Sequence, residues 1–188
     1  MNRINRLNGM YAYLSGAIDF ANIEHAKRWR EEITEFLKPM NVKVFNPFCL
    51  PFVGAEDIEK NKRPKMAELL ANGEYKSLRE HMKSMVKFDL RAVDLSSFVV
   101  AEYDTKLHLC GTSEEMFTAN EQQKPTLLVA VNGKHKMPSW IYARFPEEHI
   151  FDGWEDLKFY LNQVNSNPNY AFTPADDKRW VFFNQETV

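Results

Sequence analysis

Residues 78–103, LREHMKSMVKFDLRAVDLSSFVVAEY, place a periodic apolar stripe directly before a continuous apolar run. Leu78, Met82, Met85 and Val93 recur at the three- and four-residue spacing of one helix face. Phe98–Tyr103 then reads as a buried strand, so the stretch is one helix feeding one strand. Working outward, the same alternation repeats. On the N-terminal side, Met10–Ile18 reads as a strand broken at Ser15-Gly16, followed by a helix face of Ala26, Trp29, Ile33, Phe36 and Leu37 that ends near Pro39. Val42–Phe48 is a further strand, stopped by Pro47. On the C-terminal side come a helix from Ser113 to about Gln123, strands at Thr126–Val131 and His149–Phe151, and a helix from about Gly153 to Val164. Five strands alternating with helices specify an α/β protein with a mostly parallel sheet covered on both faces.

The 188 residues fit one domain of ordinary size, and 44% hydrophobic with 27% charged residues is a globular composition. We assign residues 1–165 to that domain and 166–188 to a C-terminal arm carrying Tyr170, Phe172, Trp180, Phe182 and Phe183. Pro51, Gly54, Pro64 and Gly73 break the pattern over residues 49–76, which read as an insertion around a short helix near Met66–Ala71. The formal net charge of −2 gives no surplus of Lys and Arg for a polymeric nucleic acid or a membrane surface. Apolar runs reach only four to five residues, far short of the roughly 20 that span a bilayer. The N-terminus lacks a secretory pattern, so the expected location is the cytoplasm. Cys49 and Cys110 are expected to be reduced and structural. None of the five histidines has metal-ligand spacing, and no metal or cofactor is expected.

In such sheets ligands sit beyond the carboxyl ends of the strands. The loops to inspect are Ser15–Phe20, Asn46–Leu50, Asp104–Glu115 and Asn132–Trp140. Asp89 occupies a stripe position, 78, 82, 85, 89, 93, where periodicity demands an apolar side chain. It either pairs with Arg79 or Arg91 at the stripe edge, or points into a cleft for proton transfer or substrate binding. Gly111-Thr112-Ser113-Glu114-Glu115 is a glycine turn entering a helix. Thr112 and Glu115 there have the spacing of a capping box, and Glu115 is alternatively a carboxylate aimed into the cleft of Asp89. Tyr13 is either a core aromatic or a hydroxyl delivered to the mouth of the sheet.

YLSGAID (13–19), VFNP (44–47), KFDLRAVDLSSFVVAE (87–102), CGTSEEMFTA (110–119) and KPTLLVAV (124–131), taken in order, resemble the nucleoside 2-deoxyribosyltransferase superfamily over roughly residues 10–164. That superfamily includes transferases that exchange bases on 2-deoxyribose and 2′-deoxynucleoside 5′-phosphate N-hydrolases. The resemblance implies a Rossmann-like (flavodoxin-like) fold with a five-stranded parallel sheet. It implies Glu115 as nucleophile on the anomeric carbon, Asp89 assisting protonation of the departing base, and Tyr13 orienting Glu115. Ser15, Gly16, Ala17, Asp19, Asn46, Gly111 and Thr112 are the implied substrate contacts.

One departure concerns the substrate. Where the phosphate-dependent hydrolases resemble one another in an Arg and small hydroxyl residues, this chain has Ala17 and Asp19, and Asp19 would repel a 5′-phosphate. Ser139, 24 residues beyond Glu115, matches the serine with which those hydrolases reach a neighbouring subunit's phosphate site. The expected partners are therefore a deoxynucleoside or deoxynucleotide, a free base, and further copies of the chain in a homodimer or higher homo-oligomer. Met137, Pro138 and Trp140 beside Ser139 suit such an interface, unless Trp140 tucks into its own domain. Two other readings compete: a phosphoribohydrolase, which lacks support because no Pro-Gly-Gly precedes Gly-Thr, and a non-catalytic nucleotide-binding module.

Overall fold

The computed structural model describes residues 4–19, 21–55 and 63–183. Five strands, β1 (Tyr11–Ser15), β2 (Lys43–Phe45), β3 (Phe98–Tyr103), β4 (Thr126–Ala130) and β5 (Ile150–Phe151), form one parallel sheet in the order β2-β1-β3-β4-β5. Seven α-helices accompany it among the described residues: α1 (Ile23–Leu37), α2 (Arg63–Ala71), α3 (Tyr75–Leu95), α4 (Cys110–Glu121), α5 (Ser139–Arg144), α6 (Trp154–Ser166) and α7 (Pro174–Arg179). This is the expected Rossmann-like α/β architecture. Its strand order reverses between β1 and β3, which is where such sheets open a crevice.

The two faces of the sheet follow from the two-residue period of a strand. Ala12, Leu14, Phe98, Val100, Leu127 and Val129 face α1 and α6, packing with Trp29, Ile33, Leu157 and Leu161. Tyr13, Val99 and Ala119 share the opposite face with Ala92 and Val93 of α3, and Ala101, Leu128 and Ile150 continue it against Met116, Ile141 and Phe145. Central strands β3 and β4 are buried on both faces, which explains their unbroken apolar runs.

Element ends differ from the expected ones where local chemistry intervenes. The helix α4 begins at Cys110, so Gly111 and Thr112 lie inside its first turn instead of ahead of it. The capping-box reading is therefore overturned: the cap position is Leu109, it carries no side-chain cap, and Thr112 is a buried helical residue. α5 begins at Ser139, so the last two residues of the expected loop Asn132–Trp140 are helical. In the expected insertion, α2 packs along α3, with Met66 and Met85 buried together and Leu78, Met82 and Phe88 around them. Residues 56–62 of that insertion lie outside the described residues.

The arm is integral to the core. Trp180 is buried, and Tyr170, Phe172 and Phe182 pack against the face covered by α1 and α6. It is held by Asp176, fully buried on α7, whose Oδ1 accepts from Tyr160 at 2.5 Å and lies 2.9 Å from His149 Nε2. Thr173 donates to Oδ2 from both its amide and its hydroxyl at 3.0 Å, closing a capping box at the start of α7. The Trp180 indole donates to Tyr160 Oη at 2.8 Å. Burial pushes the Asp176 carboxyl up, but the hydrogen bonds from His149, Tyr160 and Thr173 outweigh it and hold it well below the usual carboxylate range.

Candidate active site

Tyr13 and Ser15 stand two residues apart on β1, so both side chains leave the same face of the strand. That face looks at α4. Glu115 sits one turn after the buried Thr112 and one turn before the buried Ala119, on the side of α4 that packs on the sheet. The three side chains meet. Tyr13 Oη donates to Glu115 Oε1 at 2.7 Å, and Ser15 Oγ donates to Oε2 at 2.5 Å. Each carboxylate oxygen therefore has its own hydroxyl donor, which fixes the plane and the rotamer of the group. Tyr13 is fully buried, so it is a core aromatic and a hydrogen-bond donor to Glu115 at once.

Beside Glu115 lies an open cleft of about 780 Å³, its solvent-filled mouth included. Gly16, Ala17, Ile18 and Asp19 follow β1 along one rim; His108, Cys110, Gly111, Thr112, Glu114 and Glu115 form the α4 side. The third wall is α3, which contributes Met82, Met85, Val86, Asp89 and Leu90. Asp89 therefore points into the cleft that Glu115 lines. Arg79 and Arg91, the alternative partners on its own helix, lie instead against Glu80 at 3.1 Å and Asp94 at 3.9 Å.

Burial and the neighbouring Asp89 charge push the Glu115 carboxyl up to about 7, against the opposing pull of the Ser15 and Tyr13 hydroxyls and the Arg30 guanidinium. Burial, followed by the charges of Glu115 and Asp89, likewise raises the Tyr13 phenol well above its ordinary value. Two half-buried carboxylates in one cleft, Glu115 with its ionisation displaced toward neutrality, form an arrangement suited to nucleophilic and acid–base work.

The other face of the β1 end explains Gly16. A Cβ there would lie 2.9 Å from Trp29 Cζ2 and 3.2 Å from Arg30 Nη2, so the glycine makes room for the protein's own side chains. Arg30 is fully buried, donating to Gly16 O at 2.8 Å and to Ala26 O at 2.7 Å, with its guanidinium 4.3 Å from the Trp29 ring centre. It ties α1 to the loop that forms the rim. Nearby, the His25 ring lies 2.9 Å from the buried Glu102, whose carboxyl burial pushes up. Sequence reading passed over Arg30, although an arginine inside the apolar stripe of α1 is the same kind of signal that singled out Asp89.

Not every expected residue gathers here. Ser15 holds Glu115 and is absent from the cleft lining. Asn46 Oδ1 accepts from the Phe48 amide at 3.0 Å, and the residue lines a separate groove with Lys27, Glu31 and Thr34. Ser139 is exposed at the start of α5, outside this chain's cleft. Trp140 does not tuck into its own domain: it is 70% exposed, whereas Met137 is buried beside Ile141 and Phe145. Both cysteines are exposed and outside any disulfide, which corrects the buried structural role expected of them, and Cys110 lies on the cleft wall. Among the described residues no group of three His, Cys, Asp or Glu side chains gathers to hold a metal ion, and no helix is long and apolar enough to cross a membrane.

Fold and cleft together define a Rossmann-like α/β protein with a paired-carboxylate site at its topological switch point. No family model matches the chain, and no curated protein matches it. Among solved structures, the chain is similar to the 2-deoxyribosyltransferase of the psychrotolerant bacterium Bacillus psychrosaccharolyticus, with a TM-score of 0.55 at 19% identity, over 91% of this chain and 99% of that one. A CMP N-glycosidase of Clostridium botulinum gives a TM-score of 0.45 at 15% identity, over 82% of this chain and 97% of that one. At 19% identity, the first likeness establishes a shared fold.

Proposed function

We propose that the chain is an N-glycosidic-bond-cleaving enzyme of the nucleoside 2-deoxyribosyltransferase superfamily, acting on 2′-deoxynucleosides and passing the deoxyribosyl group to a second base. The observation that carries this reading is the Glu115 carboxylate, gripped at both oxygens by Tyr13 and Ser15 and facing the cleft that Asp89 also lines. The similar fold of a 2-deoxyribosyltransferase supports it.

In the first half-reaction an ionised Glu115 oxygen bonds to the anomeric carbon. The bond from that carbon to the base nitrogen breaks, its electron pair leaves with the base, and Asp89 hands the base a proton. A nitrogen of the incoming base then displaces Glu115 from the anomeric carbon: the ester C–O bond breaks with its electron pair returning to Glu115 as carboxylate, and the base's N–H proton passes to Asp89, which restores both groups. Tyr13 and Ser15 hold the nucleophile in line and favour its ionised form. Gly111 and Thr112 on one wall and Gly16 and Ala17 on the other frame the sugar.

Release of the base to water from a deoxynucleoside 5′-monophosphate is the second reading, and Ser139 favours it only if a neighbouring copy brings that residue to the cleft. Against it, Asp19, Asp89, Glu114 and Glu115 line the cleft, with no Lys or Arg among its described lining residues. A phosphate dianion would meet carboxylates there. We further read the chain as a homo-oligomer through α5, where exposed Trp140 and Tyr142 flank Ser139.

Incubation with deoxynucleosides and with their 5′-monophosphates, each with and without a free acceptor base, tests the proposal by chromatography of the products. Base exchange on the deoxynucleosides is expected. Base release confined to the monophosphates and indifferent to acceptor establishes the hydrolase reading, and unchanged substrates throughout leave a non-catalytic binding module.

A further inference from the structure

The most apolar wall of the cleft is that of α3, and its position depends on an element that the sheet does not require. Met82, Met85, Val86 and Leu90 line the cleft from α3 beside Asp89, whereas the facing surfaces set Ala17 and Ile18 among Asp19, His108, Thr112, Glu114 and Glu115. Val86 remains 37% exposed there although it is aliphatic, and Met85 is 4% exposed because Met66 of α2 packs behind it. Met85 thus touches the cleft on one side and the inserted helix on the other.

We infer that this wall is the surface on which the nucleobase lies, and that α2, through Met66, sets the space available to it, so that Val86 and Met66 govern which bases fit. The inference rests on the reading of the cleft as the place of N-glycosidic cleavage. Glu115 fixes where the anomeric carbon must be, and Asp89 fixes where the leaving nitrogen's side must be. Asp89 follows Met85 by four residues and Val86 by three, so all three share one face of α3. A base whose rim reaches Asp89 therefore has its flat face over Val86 and Met85. Flat aromatic faces pack well on thioether and aliphatic side chains, while a sugar's hydroxyls do not. The wall thus suits the base, and the carboxylate-lined remainder suits the sugar.

The test is calorimetric binding of free adenine and free cytosine, a bicyclic and a monocyclic base, to the wild-type chain and to Val86→Phe, Val86→Ala and Met66→Ala. Val86→Phe narrows the wall and is expected to weaken adenine relative to cytosine by on the order of tenfold. Val86→Ala and Met66→Ala enlarge the space and are expected to shift the ratio toward adenine, with the near-ultraviolet dichroism of the fold retained. Val86 is a surface position, so its two variants give a result even if Met66→Ala unfolds. An adenine-to-cytosine ratio identical in every folded variant overturns the inference. If that ratio stays fixed while deoxynucleosides are cleaved, the base wall falls and the reaction stands. If it moves as expected while no deoxynucleoside is cleaved, the wall stands as a base-binding face and the reaction falls.

Discussion

At the scale of single residues, the decisive arrangement is one carboxylate between two hydroxyls, and Glu115, its neighbour Asp89 and Ser15 each make a separable prediction. Glu115→Gln keeps an oxygen for Tyr13 or Ser15 but no nucleophilic charge. Base release is expected to fall by on the order of 10³-fold or more, with the melting temperature nearly unchanged. Mass spectrometry of the wild type stopped during turnover should find a deoxyribosyl adduct on Glu115, and turnover near wild type in the variant rejects the role. Asp89→Asn removes the transferable proton at constant size, and a fall of about 10²–10⁴-fold in turnover is expected. Normal activity per folded molecule with a lowered melting temperature assigns Asp89 to structure instead. The pH profile tests the hydroxyls. Because burial and Asp89 push Glu115 up to about 7, kcat/KM is expected to rise with pH through that region as the nucleophile ionises. Ser15 pulls the same group down, so Ser15→Ala should move the acid limb to higher pH. A limb that stays put, or moves lower, contradicts the hydrogen bond's role.

At the scale of elements, what could be read from the chain was what repeats. The stripe of α3 and the runs of β3 and β4 were legible because helix and strand periods leave a regular apolar trace, and Asp89 was legible as a break in that trace. The resemblance supplied the pairing of Glu115 with Tyr13, whereas Ser15 was expected at the substrate. Its grip on Glu115 depends on β1 lying against α4, a contact 100 residues apart in sequence that no local spacing encodes. The capping-box reading failed for the same reason, since a local pattern competes with tertiary contacts that only the fold reveals. The arm was expected to pack, but the polar lock that anchors it was not, for His149, Tyr160 and Asp176 come from three different elements. Removing the charge from Asp176 leaves buried donors unmatched, and Asp176→Asn is expected to cost ~3 kcal/mol. That corresponds to a drop of about 6–12 °C in melting temperature for a chain of this size. Asp176 is held below its ordinary value, so its contribution is complete above the unfolded pKa of about 3.9 and fades as acidification approaches the folded value. The gap between wild type and variant should therefore be full at pH 7 and narrow below about pH 4. A gap constant across that range shows that shape, not charge, anchors the arm.

At the scale of the whole molecule, the strand order places the cleft at the reversal between β1 and β3, with α3 and α4 on one face of the sheet as two walls and the loop leaving β1 as the third. The cleft is open at its mouth, and α5, on the same side as α4, carries a surface that none of the described residues covers. Trp140 is 70% exposed and Tyr142 41%, with Ser139 beside them, while Met137 and Ile141 anchor the helix to the core. A rigid, anchored helix presenting two large aromatics is suited to the centre of an interface, where such residues concentrate binding energy. If the interface brings Ser139 to the neighbour's cleft, the site is shared between subunits, and mass in solution at micromolar concentration should be that of a dimer or a multiple of it. Complementation is the sharper measurement. Glu115→Ala removes the nucleophile, and Ser139→Trp blocks whatever Ser139 reaches. In a shared site, a mixture of the two inactive chains forms hybrids with one intact cleft, which combines Glu115 of the Ser139→Trp chain with Ser139 of the Glu115→Ala chain. Random pairing at equal concentrations makes about half of all dimers hybrids, each with one of two sites working, so about a quarter of wild-type activity should return on mixing. A mixture as inactive as its components, from chains shown by mass to exchange subunits, means that each cleft is complete within its own chain and that α5 serves assembly alone.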